Sequence, residues 1–210
     1  PGSGSVSVQA ELNGCVSAPV VVDVEVVGTP TVTLAADQTT ICTGQPITFT
    51  ATSTTGTQFR FFENGVLVQD WSASNTYTTL NLAPGTIVTV ETAVPAGSDL
   101  CGSSVSNGVT AVVNPRPIIQ TLTDTDADDI ICVGDAVTFT VNATNVLGTP
   151  DYLFFRNGNP EDFFGTGFQP SNQITITDLQ DGDFVCAIAR GSVPPQCPSD
   201  FSCGFPFAVQ

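Results

Sequence analysis

Residues 39–50 read TTICTGQPITFT, and residues 129–140 read DIICVGDAVTFT. In each, a Cys and a Gly precede a run in which apolar and hydroxyl side chains alternate. Ile47 and Phe49 therefore share one face of a strand, as do Val137 and Phe139, because side chains in a strand have a period of two. The likeness extends outward in both directions. FRFFENG at 59–65 answers YLFFRNG at 152–158, and LNLAPGTIVTV at 80–90 answers TDLQDGDFVCA at 177–187. LCGSSVSNGVTAVV at 100–113 answers QCPSDFSCGFPFAV at 196–209. Four blocks in the same order, differing by small loop changes, are the mark of tandem repetition. Asn64-Gly65 and Asn157-Gly158 stand between strand-like runs, the strongest short hairpin signal. No segment has helical periodicity. About seven short strands in roughly 90 residues predict an all-β chain of tandem immunoglobulin-like β-sandwiches.

The copies break near residues 28 and 115, where Pro and Gly interrupt the strand pattern and stiffen a short linker. Residues 1–28 contain SVSVQAELNGCVSAPVVVDVEVV, a strand, a Cys-bearing loop and a strand. They are expected to be the C-terminal strands of a preceding, truncated repeat. Residues 29–115 and 116–210 are then one full repeat each.

Composition narrows the chemistry. Among 210 residues there are 20 acidic side chains, four Arg, no Lys and no His, giving a net charge of -16. A surface of that sign repels a polyanion, so nucleic acid is not an expected partner. Without His the ordinary base of Ser and Cys triads is missing, and without Lys there is no Schiff base or P-loop lysine. No pair of carboxylates stands out for hydrolysis, and the chain is not expected to be an enzyme. Hydrophobic content is 41%, enough for packed cores, yet no apolar run is long enough to span a bilayer. With no initiator Met and no signal sequence, the chain reads as the interior of a longer exported polypeptide.

The motifs I-C-x-G-x-x-x-T-F-T (Ile41 to Thr50), F-F-x-N-G (Phe61 to Gly65) and V-N-P-x-P (Val113 to Pro117) resemble the Ig-like or PKD-like repeats of giant Bacteroidota surface proteins. Among those are the gliding-motility adhesins of SprB type, exported by the type IX secretion system. The resemblance implies an extracellular place on a bacterial cell surface and a structural, adhesive role. The expected partners are neighbouring repeats of the same chain, with a surface polysaccharide or substratum as a further partner.

Seven cysteines occur without a CxxC, and with no His the usual zinc patterns are absent, so disulfides of an oxidising compartment are expected. Cys42 and Cys101 are the only two in the first full copy, which pairs them. Their equivalents pair Cys132 with Cys197. Cys186 and Cys203 replace Thr89 and Asn107 of the first copy and form a cross-strand bridge. Cys15 is left to a partner in the missing part of the preceding copy.

Two further candidate sites remain. Asp124, Asp126, Asp128 and Asp129 lie close together in a loop, a set of hard oxygens suited to Ca²⁺, and no other cofactor is expected; a solvated loop is the plainer reading. Trp71, Phe163, Phe164 and Phe168 follow the hairpins and form either a sugar- or protein-binding platform or a cap on the core. Phe61, Phe62, Phe154 and Phe155 are assigned to the core on one side of the hairpin. The Asp178, Asp181 and Asp183 group reads as an Asp-Gly turn. Asn142-Ala143-Thr144 has the form of a glycosylation sequon.

Overall fold

The structure is a computed structural model, and it describes residues 2–26, 28–94 and 102–210. The described residues form strands and no helix. They divide into two compact units. One comprises Pro1–Thr39, Pro46–Thr79 and Gly85–Ala111, and the other Thr40–Gln45, Leu80–Pro84 and Val112–Gln210. The sequence copies and the compact units thus interleave: three short segments of the first copy, Thr40–Gln45, Leu80–Pro84 and residues 112–115, belong to the second unit.

In the first unit, β1 (Gly2–Val8) and β4 (Val20–Val26) form an antiparallel pair, with β2 (Glu11–Leu12) and β3 (Cys15–Val16) closing its tip around Asn13-Gly14. Every residue from Gly2 to Glu25 is exposed, so neither face of this hairpin is covered. The chain then enters a sandwich. β5 (Val32–Ala36) leads to β6 (Thr40–Cys42), a strand of the second unit, and on to β7 (Ile47–Ser53), β8 (Gln58–Glu63), β9 (Val66–Ser72), β10 (Thr76–Thr79), β11 (Ile87–Ala93), β12 (Ser103–Val105) and β13 (Val109–Thr110). One sheet has the order β10-β7-β5 and the other β12-β11-β8-β9, with β13 also on β11. The expected alternation is present: Ile47, Phe49 and Ala51 of β7 are buried, as are Val88, Val90 and Thr92 of β11. Tyr77 lies between the sheets, its ring 6.4 Å from Phe49 and 5.7 Å from Phe61.

The second unit begins with β6 and β14 (Val112–Asn114), which run parallel. It continues through β15 (Ile118–Thr123), β16 (Ile130–Ile131), β17 (Val137–Thr144), β18 (Pro150–Arg156), β19 (Gln173–Ile176), β20 (Val185–Gly191), β21 (Ser202–Cys203) and β22 (Ala208–Val209). Its sheets have the orders β15-β17-β19 and β18-β20-β21, and β16 runs parallel to β22 as β6 does to β14. Val137, Phe139, Val141, Phe154, Ile176 and Phe207 are among the residues that fill the space between them.

The hairpin turns form as the sequence requires. Asn64 and Gly65 both have positive φ (48° and 80°), and so do Asn157 and Gly158 (52° and 73°). Each Asn side chain also receives the backbone N–H of the strand opposite, Ile87 at 2.9 Å and Phe184 at 2.9 Å. The Phe-Phe pairs correct one expectation. Phe61 and Phe154 face the main cores, whereas Phe155 lies in a separate cluster with Leu153 and Cys186. Adjacent residues of a strand point to opposite faces, so the pair cannot share one side.

Candidate functional site

Cys42 ends β6 and opens a tight turn. Gly44 takes φ 80°, the Gln45 N–H donates to Cys42 O at 3.0 Å, and the Cys42 N–H donates to Gln45 Oε1 at 2.8 Å. The Thr43 N–H and hydroxyl both donate to Asn114 O, at 2.9 and 3.2 Å, which ties the turn to β14. Asn114 is buried, and its side-chain Nδ2 donates to Pro194 O at 3.0 Å, holding the loop that carries Cys197. Cys197 Sγ lies 3.9 Å from Asn114 O. The result is a Cys42–Cys197 disulfide with a Cα–Cα distance of 5.5 Å, inside the second compact unit.

This bond replaces two expected ones, Cys42–Cys101 and Cys132–Cys197. Sequence equivalence tells where a cysteine sits within its own copy; it does not tell which copy's loop reaches it. Cys42 and Cys197 are both buried, at 1% and 4% exposure, whereas Cys132 is exposed and unbonded. Cys101 lies outside the described residues. Cys186 is bonded to Cys203, the pair joined in the sequence reading, and the two stand opposite each other in the β20–β21 register. Cys15 is exposed and unbonded.

The candidate aromatics are mostly engaged. Trp71 lies on strand β9, not in a loop, and the Arg60 guanidinium stands 4.6 Å from its ring centre. Arg60 also donates to Glu91 Oε2 at 2.7 Å. Arg156 stands 5.1 Å from the Phe164 ring, and Arg190 stands 3.9 Å from the Phe168 ring. Phe164 packs on the main core and Phe168 on the Leu153–Phe155–Cys186 cluster. Phe163 is the most exposed of the four, at 45% against 38% for Trp71, and lines an open groove of about 480 Å³ together with Arg156, Asp162, Gln169 and Asp178.

Asp183 carries a structural centre that the turn reading of 178–183 missed. It is 6% exposed and receives Arg156 Nη1 at 2.6 Å, Asn157 Nδ2 at 2.8 Å and the Gln180 N–H at 2.9 Å. The first copy has Glu63 where the second has Arg156, and Thr86 where it has Asp183. That paired exchange between copies is the signal that could have revealed the contact.

The acidic run is not gathered into a ligand set. Asp124 Oδ1 accepts the Asp126 N–H at 3.1 Å, Asp126 Oδ1 the Asp128 N–H at 3.2 Å, and Asp128 Oδ1 the Ile130 N–H at 3.3 Å. Asp129 is in the left-handed region at φ 57°. Among the described residues no three His, Cys, Asp or Glu side chains are placed to share a metal ion. Partial burial raises the Asp124 pKa above the usual carboxylate value; the Asp126 N–H opposes this, and the charges of Asp129 and Asp126 add to it.

No family model matches the sequence, and no curated protein matches it. Among solved structures, the chain is similar to the N-terminal eight Ig domains of Down Syndrome Cell Adhesion Molecule isoform 1.30.30, with a TM-score of 0.53 and 13% identity over 99% of this chain and 27% of that one. It also matches the fibronectin(III)-like modules of Clostridium thermocellum CbhA (TM-score 0.41, 13% identity, 84% of this chain and 94% of that one). A third match is the human OSCAR ligand-binding domain (TM-score 0.34, 15% identity, 86% and 100%). The chain has an all-β, Ig-like fold. Two disulfides among the described residues suit an oxidising compartment. None of the described residues forms a helix long and apolar enough to cross a membrane.

Proposed function

We propose that the chain is a stalk segment of a secreted bacterial cell-surface adhesin, used in gliding or attachment and exported by the type IX route. Its part is reach and the transmission of tension, not catalysis. The observation that carries this reading is the Cys42–Cys197 bond, which joins the opening of one sequence copy to the last loop of the next. A covalent tie between successive copies resists extension of the polypeptide between them. The two prolines of Pro115-Arg116-Pro117, between β14 and β15, stiffen the passage from one copy to the next. All four Arg are paired with carboxylates, Arg60 with Glu91, Arg116 with Asp200, Arg156 with Asp178 and Asp183, and Arg190 with Asp151. The remaining acidic surplus keeps an exposed array soluble. In this reading the uncovered β1–β4 hairpin is the closing pair of strands of a preceding copy.

A second reading rests on one observation, the exposed Phe163 in its groove, which would hold a sugar ring or a protein side chain. Replacing the segment, in its native polypeptide, by an unrelated rigid tandem of Ig-like domains of equal length separates the two. Attachment that persists supports the stalk. Attachment that disappears while surface display stays normal makes the segment a binding module.

A further inference from the structure

We infer that successive copies are stapled in a repeating pattern, in which the opening cysteine of each copy bonds to the cysteine in the last loop of the copy that follows it. Cys42 and Cys197 are the one such pair for which both members are among the described residues. The same rule accounts for the three cysteines left over. Cys132 is the opening cysteine of the second copy, and its partner is the last-loop cysteine of a third. Cys101 and Cys15 hold the Cys197 position in their own copies, and their partners are opening cysteines of the copies before them.

The Cys132 seat is built like the Cys42 seat. Gly134 takes φ 89°, the Asp135 N–H donates to Cys132 O at 3.0 Å, and the Cys132 N–H donates to Asp135 Oδ2 at 2.9 Å. The Val133 N–H donates to Gln210 O at 3.2 Å, as the Thr43 N–H does to Asn114 O. Gln210 stands where Asn114 stands, with a side-chain amide in both places. Ile131 before Cys132 is buried, as Ile41 is before Cys42. The difference is the cover. Over Cys42 lies the Pro194–Cys197 loop; Cys132 has none and is exposed. A seat with the same turn, the same parallel strand pair and the same amide, lacking only its loop, fits a following copy of this repeat.

Formation of each staple joins two thiols and releases two protons and two electrons. A protein disulfide acting as thiol oxidant in the exporting compartment accepts both and becomes a dithiol. The inference rests on tandem repetition, as the stalk reading does, but not on adhesion, so attachment assays leave it untouched.

The test appends residues 115–210 after Gln210, in register, and maps thiols by alkylation and non-reduced peptide analysis. In the 210-residue chain Cys132 labels completely. In the extended chain its labelling falls to background and it appears bonded to the added copy's equivalent of Cys197. Continued labelling of Cys132, or its bonding within its own copy, overturns the pattern. The unextended chain gives an independent check through Cys42→Ser. Cys197 is then expected as a free thiol with Cys186–Cys203 intact, and a Cys132–Cys197 bond in that variant overturns the rule.

Discussion

The antiparallel strand pairs β8–β11 and β18–β20 carry the same Asn-Gly turn and the same inward face but opposite outward chemistry. Inward, Phe61 opposes Val90 in the first copy, and Phe154 opposes Ala187 in the second. Outward, Arg60 opposes Glu91 in the first, and the equivalent pair in the second is Leu153 opposite Ile188. The first copy extends the sheet beyond β8 with strand β9, whose Trp71 stacks on Arg60. The second has no β9 equivalent. A loop bearing Phe163, Phe164 and Phe168 lies there, touching the sheet through isolated bridges at Phe155–Phe163 and Tyr152–Gln169. An apolar outer face and a loop cover came together, since a buried Leu or Ile needs apolar neighbours while an ion pair tolerates water. The inward face is common to the copies because the sandwich depends on it; the outward face is where they have diverged.

The sharpest break in that comparison is at the buried charge of the second copy. Asp183→Ala takes from Asn157 Nδ2 and Arg156 Nη1 the acceptor they share, leaves Arg156 only the exposed Asp178, and is expected to cost about 3 kcal/mol, as for removing one partner of a buried pair. Thr86→Ala at the equivalent place removes only a small neutral side chain and should cost markedly less. Urea denaturation of the two variants measures the difference, and equal losses would mean that the Arg156–Asp183 pair contributes nothing special.

A second break targets the outer-face disulfide, which the first copy lacks because Thr89 and Asn107 stand at those positions. Cys186→Ser with Cys203→Ser opens a loop of sequence separation 17 and should cost roughly 3 kcal/mol in the chain-entropy model. Unfolding followed separately in the two units should show the loss in the second alone. A comparable loss in the first would show the copies to be coupled more tightly than their sequences imply.

The fold was readable from the sequence because its determinants are local and repeated. Alternation at Ile47–Ala51 and Val137–Val141 assigned faces, and the two Asn-Gly dipeptides fixed both turns. The Cys186–Cys203 pairing was equally local, a matter of register between adjacent strands. Cys42–Cys197 was not, because its sequence separation of 155 crosses from one copy to the next, and equivalence within a copy carries no information about that. The aromatics were ambiguous for a related reason. Whether Trp71 or Phe168 is a platform or a cover depends on which Arg lies above it, and Arg190 reaches Phe168 from a strand 22 residues away in sequence. In the acidic run, Asp124, Asp126 and Asp128 each accept a backbone N–H of their own loop, an engagement that spacing in the sequence does not reveal.

That acidic loop has no counterpart in the first copy, where Asp37 stands alone, and it yields the smallest expected effect. Asp124 has a raised pKa in the folded state, chiefly from partial burial, with the charges of Asp129 and Asp126 adding to it. The folded chain therefore binds this proton more tightly than the unfolded chain, for which the ordinary carboxylate value of about 4 applies. The contribution of Asp124 to stability is unfavourable above its folded pKa and is relieved as pH falls from there through the ordinary value. Stability thus gains slightly on acidification in that window, opposite in sign to a carboxylate held by a cation. Asp124→Asn keeps a side-chain oxygen able to accept the Asp126 N–H and removes the charge. It should raise stability at neutral pH by no more than about 0.5 kcal/mol, the scale of surface substitutions, and flatten the dependence on pH just above the ordinary carboxylate value. Thermal unfolding of the two proteins across that range measures both. A variant less stable at pH 7, or one with an unchanged pH profile, would show that the Asp124 charge is favourably engaged and that burial is not what governs its proton.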